Sequence, residues 1–250
     1  MLLVIDVGNT NTVFGLSENG AWQRVWRIET RRGASAEAWW EAMSGTPDTI
    51  DQVALCSVVP AASIQLSALC TERLGIVPLI VTSDLRLNVK LGTAFPDRVG
   101  ADRIANAVAA RAQTTGAALV VDLGTATKIE AISAEGVFLG GAIAPGLEAM
   151  LEALVGRAAK LNSVPIALPP AAIGRDTTTA MQSGLVLGHF EMIRALIADM
   201  AHEMGDVEPD VFVTGGHIEN TASPFRALGK PVPTLTIDGV RAIAELNGDR

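Results

Sequence analysis

Two aspartates stand at the ends of short apolar runs and are followed by small hydrogen-bonding residues: Asp6 in VIDVGNTNTVFGL and Asp122 in ALVVDLGTATKIEAI. A carboxylate, a glycine and several Thr or Asn residues in so short a stretch suit the handling of phosphate. Glycine lets the backbone come close, and main-chain N–H groups with Thr or Asn side chains donate to phosphate oxygens. The carboxylate repels bare phosphate, so it makes sense there with a cation in between. Mg²⁺ is typically held through one or two carboxylates plus substrate phosphates, and Asp6 is the expected contact of that kind. One such stretch alone is explained as well by an Asx turn in a hairpin. Two copies heading similar series of elements favour phosphate.

A third aspartate, Asp102, lies in GADR (residues 100–103) beside a helical run. A carboxylate in reach of a substrate hydroxyl can take its proton. Arg103 beside it offers a planar fork for carboxylate or phosphate. Asp102 is also what the positive end of a helix dipole favours. The histidines, His189, His202 and His217, lie outside these motifs, which leaves a carboxylate as the simpler base. Asp176 and Thr177 suit the N-terminus of a helix, as caps or as substrate contacts. Gly215 and Gly216 end VTGG, either as a plain turn or as a place where adenine or ribose lies against backbone. Neither GxxxxGK[ST] nor a GxGxxG after a strand occurs, which argues against P-loop and Rossmann nucleotide sites.

The elements that must position these residues follow from apolar runs and turn signals. Strands are expected over residues 2–7, 12–17, 22–30, 53–57 and 78–81, and helices over 34–43, 61–74 and 98–113. The second half repeats the pattern. A strand ends on Asp122, another leaves the Gly-Thr turn, and a third spans 137–143. Helices are expected over 147–161 and 177–204, a strand over 210–216 and a last helix over 238–247. Such a repeat predicts two similar α/β lobes, residues 1–116 and 117–250, with a cleft between them and helices covering largely parallel strands.

The 250-residue chain carries a formal charge of −8, which argues against a general nucleic-acid or anionic-membrane surface. It has 2 cysteines and no tyrosine, so no paired-cysteine metal pattern exists and small aliphatic residues must fill the core. Neither a signal peptide nor an apolar run of membrane-spanning length is apparent, and a cytoplasmic location is expected. Trp39 and Trp40 are expected to fill core, and Met192, Met200 and Met204 to pack in the core or at a dimer interface.

The paired D-x-G-x-T turns and the later TGG resemble the acetate/sugar kinase–Hsp70–actin superfamily, whose two RNase H-like lobes hold a nucleotide in the cleft between them. Within it the chain resembles type III pantothenate kinase. The resemblance rests on DVGNTNTVFGL (6–16), SVVP (57–60), PDRVGADRIANAVAA (96–110), DLGTAT (122–127), GGAIAPGL (140–147), IGRDTTTAMQSG (173–184) and VTGG (213–216), in that order. It implies ATP-dependent phosphorylation of pantothenate, the first step towards coenzyme A. It also implies dependence on Mg²⁺ and on a monovalent cation, K⁺ or NH₄⁺, and a homodimer with the pantothenate site near the subunit interface. Carried over by residue, Asp6, Val7, Gly8, Asn9, Thr10, Asn11, Thr12 and Val13 would line the ATP phosphates, and Thr125 would contact ATP from the second turn. Gly215 and Gly216 would lie by the nucleotide. Asp122 would help hold the monovalent cation. Gly100, Ala101, Asp102 and Arg103 would face pantothenate, with Asp102 as general base, and Thr177 would reach it from the neighbouring subunit.

Three places depart from the family pattern. Lys128 and Glu130 stand where Thr and Asp are usual, two residues apart and so on one face of a strand. They could pair with each other, or Lys128 could add charge to the ATP site, or intrude on the cation expected at Asp122. Thr93 stands where a substrate-contacting tyrosine is common, and Asp176 where asparagine is. A relative with another acceptor, or a non-catalytic paralogue of the same fold, therefore stays open beside an active pantothenate kinase.

Overall fold

The computed structural model describes residues 1–30, 33–43, 49–205, 207–218 and 223–248. In chain order the elements are β1 (Leu2–Val7), β2 (Asn11–Glu18), β3 (Ala21–Glu29), α1 (Ala36–Ala42), β4 (Gln52–Ser57), α2 (Pro60–Leu74), β5 (Leu79–Ile80), β6 (Lys90–Leu91) and α3 (Ala101–Gln113). There follow β7 (Ala118–Leu123), β8 (Ala126–Ile132), β9 (Val137–Pro145), α4 (Leu147–Arg157), α5 (Thr177–Gln182), a π-helical turn (Ser183–Leu187), α6 (Gly188–Glu203), β10 (Asp210–Thr214), β11 (Lys230–Pro231) and α7 (Leu235–Asn247). The chain divides into two compact units: Met1–Gln113 with Thr234–Arg250, and Thr114–Pro233.

The first unit holds a sheet in the order β3-β2-β1-β4-β5. β1 pairs antiparallel with β2 and parallel with β4, so its apolar run is covered along both edges. Leu3, Ile5, Phe14, Leu55, Leu66 and Trp39 form the heart of the core beneath α1 and α2. Phe14 and Trp26 stack with centroids 5.1 Å apart. Trp39 is fully buried, as the sequence suggests, and its indole Nε1 donates to Gln65 Oε1 at 3.2 Å. α2 starts with proline, which needs no N–H partner in a first turn, and stops at Gly75 in the left-handed conformation.

The second unit repeats this series strand for strand. Its strands run β11-β10-β7-β8-β9, with β7 antiparallel to β8 and parallel to β10, as β1 is to β2 and β4. All six residues of β7 are buried. Val121, Leu123, Ile129, Val213 and Phe225 pack with Leu147 and Leu151 of α4 and Ile193 of α6. Met192 and Met200 pack on the edge of this core.

The last helix departs from the expected division at residues 116 and 117. α7 belongs to the first unit, where it lies on α3. The physical cause is a close backbone crossing: a Cβ on Gly239 would run into the Ala105 carbonyl, so only glycine lets the helices approach this near. Ile104, Ala105, Asn106, Ala107, Val108, Ala109 and Ala110 are consequently buried all round α3, between β4 on one side and α7 on the other. Polar contacts fix the register. Trp22 Nε1 donates to Asp238 Oδ1 at 2.7 Å, and Asn247 exchanges hydrogen bonds with the Arg86 backbone at 3.0 and 3.1 Å.

Candidate active site

The turn after β1 is built around Gly8. Its N–H donates to the Asn11 carbonyl at 2.9 Å, and a Cβ at Gly8 would sit 2.9 Å from that same oxygen, closer than side chains pack. Asp6, one residue short of the end of β1, is half-buried, opposite Val13 on β2 and Cys56 on β4. Asn9 and Thr10 are exposed at the tip. Val7 and Thr12 instead have their side chains in the core, and the Thr12 hydroxyl lies 2.8 Å from that of Thr30. Of the stretch 6–13, the tip and Asp6 are therefore better placed to meet a ligand than Val7 or Thr12. Gly8, Asn11 and Val13 are half-buried between them.

A cavity of about 300 Å³ opens beside this turn, lined by Asn9, Val58, Val59, Pro60, Ala61 and Gln65 among others. It lies at the carboxyl ends of β1 and β4 and against the first turn of α2, where no side chain caps the helix. Ligands of open α/β sheets collect at such carboxyl ends. The SVVP segment supplies this wall. The motif by itself names no role for these residues; the proline at a helix start after a strand is the signal that points there.

GADR spans the entry to α3. Ala101, Asp102 and Arg103 are half-buried, and Asp102 Oδ1 accepts from the Arg103 N–H at 2.9 Å. The carboxylate thus sits at the positive end of the helix, as the dipole favours, with a second oxygen that this contact does not use. The hydroxyl oxygen of Thr93 is buried and makes no hydrogen bond among the described residues.

The turn after β7 is held from three sides within the second unit. The Gly124 N–H donates to Ala126 O at 3.3 Å, and the Gly146 N–H to Thr125 O at 3.0 Å. Gly146, between β9 and α4, has no room for a Cβ against the Gly124 carbonyl. Gly215 has φ +97°, and a Cβ there would meet the Leu123 carbonyl. The TGG and PGL segments therefore both press on the Thr125 turn, with Thr125 and Gly216 exposed. Behind it, the buried Thr127 hydroxyl lies 2.8 Å from His189 Nε2.

Asp122 faces Lys128 across the β7–β8 ladder, and Lys128 Nζ lies 2.7 Å from Asp122 Oδ2. Of the three roles open to Lys128 from sequence, this is contact with the carboxylate at which the resemblance implies a cation. Glu130 is wholly buried, opposite Val120 and Gly141.

Thr177 opens α5, exposed, next to its N-cap Asp176, whose Oδ1 accepts from the Thr179 N–H at 2.8 Å. Both border a groove of about 600 Å³ with Met150, Leu154, Met181 and Leu185 along it. The π-helical turn borders the same groove at Gly184 and Leu185. Such turns recur at functional sites.

Among metals, Mg²⁺ fits the residues present. Asp6 would supply one hard oxygen ligand beside the exposed tip residues Asn9 and Thr10. A monovalent cation at Asp122 does not fit in the same way, because the Lys128 ammonium already contacts that carboxylate.

Comparison with known proteins agrees with this architecture. The structure superposes with a TM-score of 0.51 on an archaeal actin homologue, Ta0583, in complex with ADP, at 12% identity and covering 100% of both chains. It superposes with 0.63 on a conserved putative Baf family transcriptional activator from Campylobacter jejuni, at 18% identity and covering 99% of this chain and 100% of that one. The fold is that of the actin-like ATPases and sugar kinases. A family model described as type III pantothenate kinase matches residues 2–199. A type III pantothenate kinase of Gluconobacter oxydans (strain 621H) is 38% identical over 259 residues, 99% of this chain and 94% of its own. The chain belongs to the type III pantothenate kinase family.

Proposed function

We propose that this protein transfers the γ-phosphoryl group of ATP to the hydroxyl of pantothenate, giving 4'-phosphopantothenate for coenzyme A synthesis. Family membership over almost the whole chain supports the substrate. The observation that supports the chemistry is the half-buried Asp102 at the head of α3, whose carboxylate accepts from the Arg103 backbone N–H through one oxygen only in that contact.

Phosphoryl transfer needs positioning and charge neutralisation more than covalent chemistry. The turn Gly8, Asn9, Thr10, Asn11 offers backbone and side-chain donors to the phosphates. Asp6 would hold Mg²⁺, which would supply charge neutralisation at the phosphates. Thr125 adds a hydroxyl from the second turn, and Gly215 and Gly216 leave backbone open to the nucleoside. Asp102 accepts the hydroxyl proton as transfer proceeds. Arg103 pairs with the pantothenate carboxylate, while Gly100 and Ala101 leave room beside it. Thr177 donates to pantothenate across a homodimer, and the apolar groove beside it is a surface on which a second copy would bury Met150 and Leu154. No helix among the described residues is long and apolar enough to cross a membrane, and we place the reaction in the cytoplasm.

The test is ADP release by the purified protein with ATP, Mg²⁺ and pantothenate. Pantothenate-dependent turnover is expected. Turnover with other small alcohols but none with pantothenate overturns the reading, as does nucleotide binding without any turnover.

A further inference from the structure

The carboxylate at which the family resemblance implies a potassium or ammonium ion already has a cation belonging to the chain. We infer that the Lys128 ammonium is a tethered substitute for that ion, and that this kinase works without added monovalent cation. The inference rests on the proposed kinase reaction, but its key contact does not.

Three observations carry it. Asp122 and Lys128 are directly opposed in the β7–β8 ladder, so strand pairing itself delivers the amine to the carboxylate. Their side chains are only 12% and 15% exposed, and Nζ lies 2.7 Å from Oδ2, unlike a solvated surface pair that forms and breaks freely. An ammonium group carries the same single charge as K⁺ or NH₄⁺ and donates as NH₄⁺ does. A second monovalent cation brought to Asp122 would meet like charge at close range in a poorly hydrated place, where repulsion is strong.

The internal repeat sharpens the contrast. In the first unit the register that pairs Asp122 with Lys128 pairs Asp6 with Val13. Val13 carries no charge, so that ladder position brings Asp6 no cation. At the equivalent place in the second unit the positive charge is built in.

The experiment compares wild type with Lys128→Thr in choline, potassium and ammonium chlorides at matched ionic strength. It reads turnover and, separately, the melting temperature with ADP and Mg²⁺. Wild type is expected to turn over within about twofold of the same rate in all three salts and to show no melting shift specific to K⁺. Lys128→Thr opens the carboxylate; it is expected to lose about tenfold or more in choline, regain activity in K⁺, and gain a K⁺-specific melting shift. Activation or specific stabilisation of wild type by K⁺ overturns the inference, and so does a folded Lys128→Thr indifferent to K⁺ in both readouts. If Lys128→Thr does not fold, thallium(I) NMR of wild type decides: a bound ion overturns the inference and its absence upholds it. If no salt gives turnover with pantothenate, the kinase reading fails while the melting and thallium results still judge the cation.

Discussion

The Thr127 hydroxyl and the Nε2 of His189 lie 2.8 Å apart, both side chains buried, directly behind the Thr125 turn. Burial, and to a lesser degree the nearby His217, hold the His189 imidazole below its usual pKa. The folded protein therefore takes up this proton at lower pH than the unfolded chain, where an imidazole titrates near pH ~6.5. The unfolded state thus binds more protons in that range, and stability rises with pH. The contribution is complete above about pH 6.5 and is lost as pH falls through that value towards the lower folded pKa. Urea melts taken from neutral to mildly acid pH are expected to show a steeper loss for wild type than for His189→Gln, which keeps an amide for Thr127 but cannot titrate. Equal slopes would show that His189 does not differ between the two states.

Asp102→Asn preserves size and keeps an oxygen to accept from the Arg103 N–H. It removes the basicity. Turnover is expected to fall by about 10²- to 10⁴-fold, with ADP affinity and the melting temperature nearly unchanged. Retained turnover would remove the residue from the role of base.

Gly215→Ala tests whether the TGG segment is a backbone device. The φ of +97° and the Leu123 carbonyl in the way of any Cβ both oppose a side chain. A loss of about 1–3 kcal/mol is expected in urea unfolding, together with weaker nucleotide binding measured by titration calorimetry. An unchanged urea midpoint would mean that the loop relaxes freely.

Cys70 is fully buried, and burial pushes its thiol up to about 11. Thiolate is the reactive form, and Cys56 is buried as well. Native protein at mildly alkaline pH is expected to react with a disulfide reagent far more slowly than protein in urea. Rapid labelling of the native form would indicate local opening around α2.

Much of the fold is legible in the sequence because its strands are short apolar runs cut off by turn residues. Residues 2–7 and 118–123 announce themselves this way, and Gly8 and Gly124 mark the turns that follow. The repeat of Asp6 in Asp122 foretells the matched strand orders. What stays hidden depends on partners distant in the chain. The spacing of residues 238–247 indicates an apolar helix face but not that it rests on α3, since only Gly239 meeting Ala105 decides that. The π-helical turn at Ser183–Leu187 leaves no mark in the 3.6-residue pattern of the long helix expected there. Two-residue strands such as β6 and β11 are too short to show a period at all. For the candidate site, residue types suggest a role for Lys128 but three partners for it, and the pairing register selects Asp122. Val7 and Thr12 illustrate the opposite limit: a motif nominates all its members, while burial separates those that face outward from those that hold the turn.

The first unit is discontinuous, closed by α7 from beyond the second. During synthesis, then, residues 114–233 can finish their sheet as soon as they leave the ribosome, while the earlier-made unit waits. Until the segment starting at Thr234 emerges, the face of α3 that α7 covers stays bare, and a nascent chain at that stage is the one most in need of chaperones.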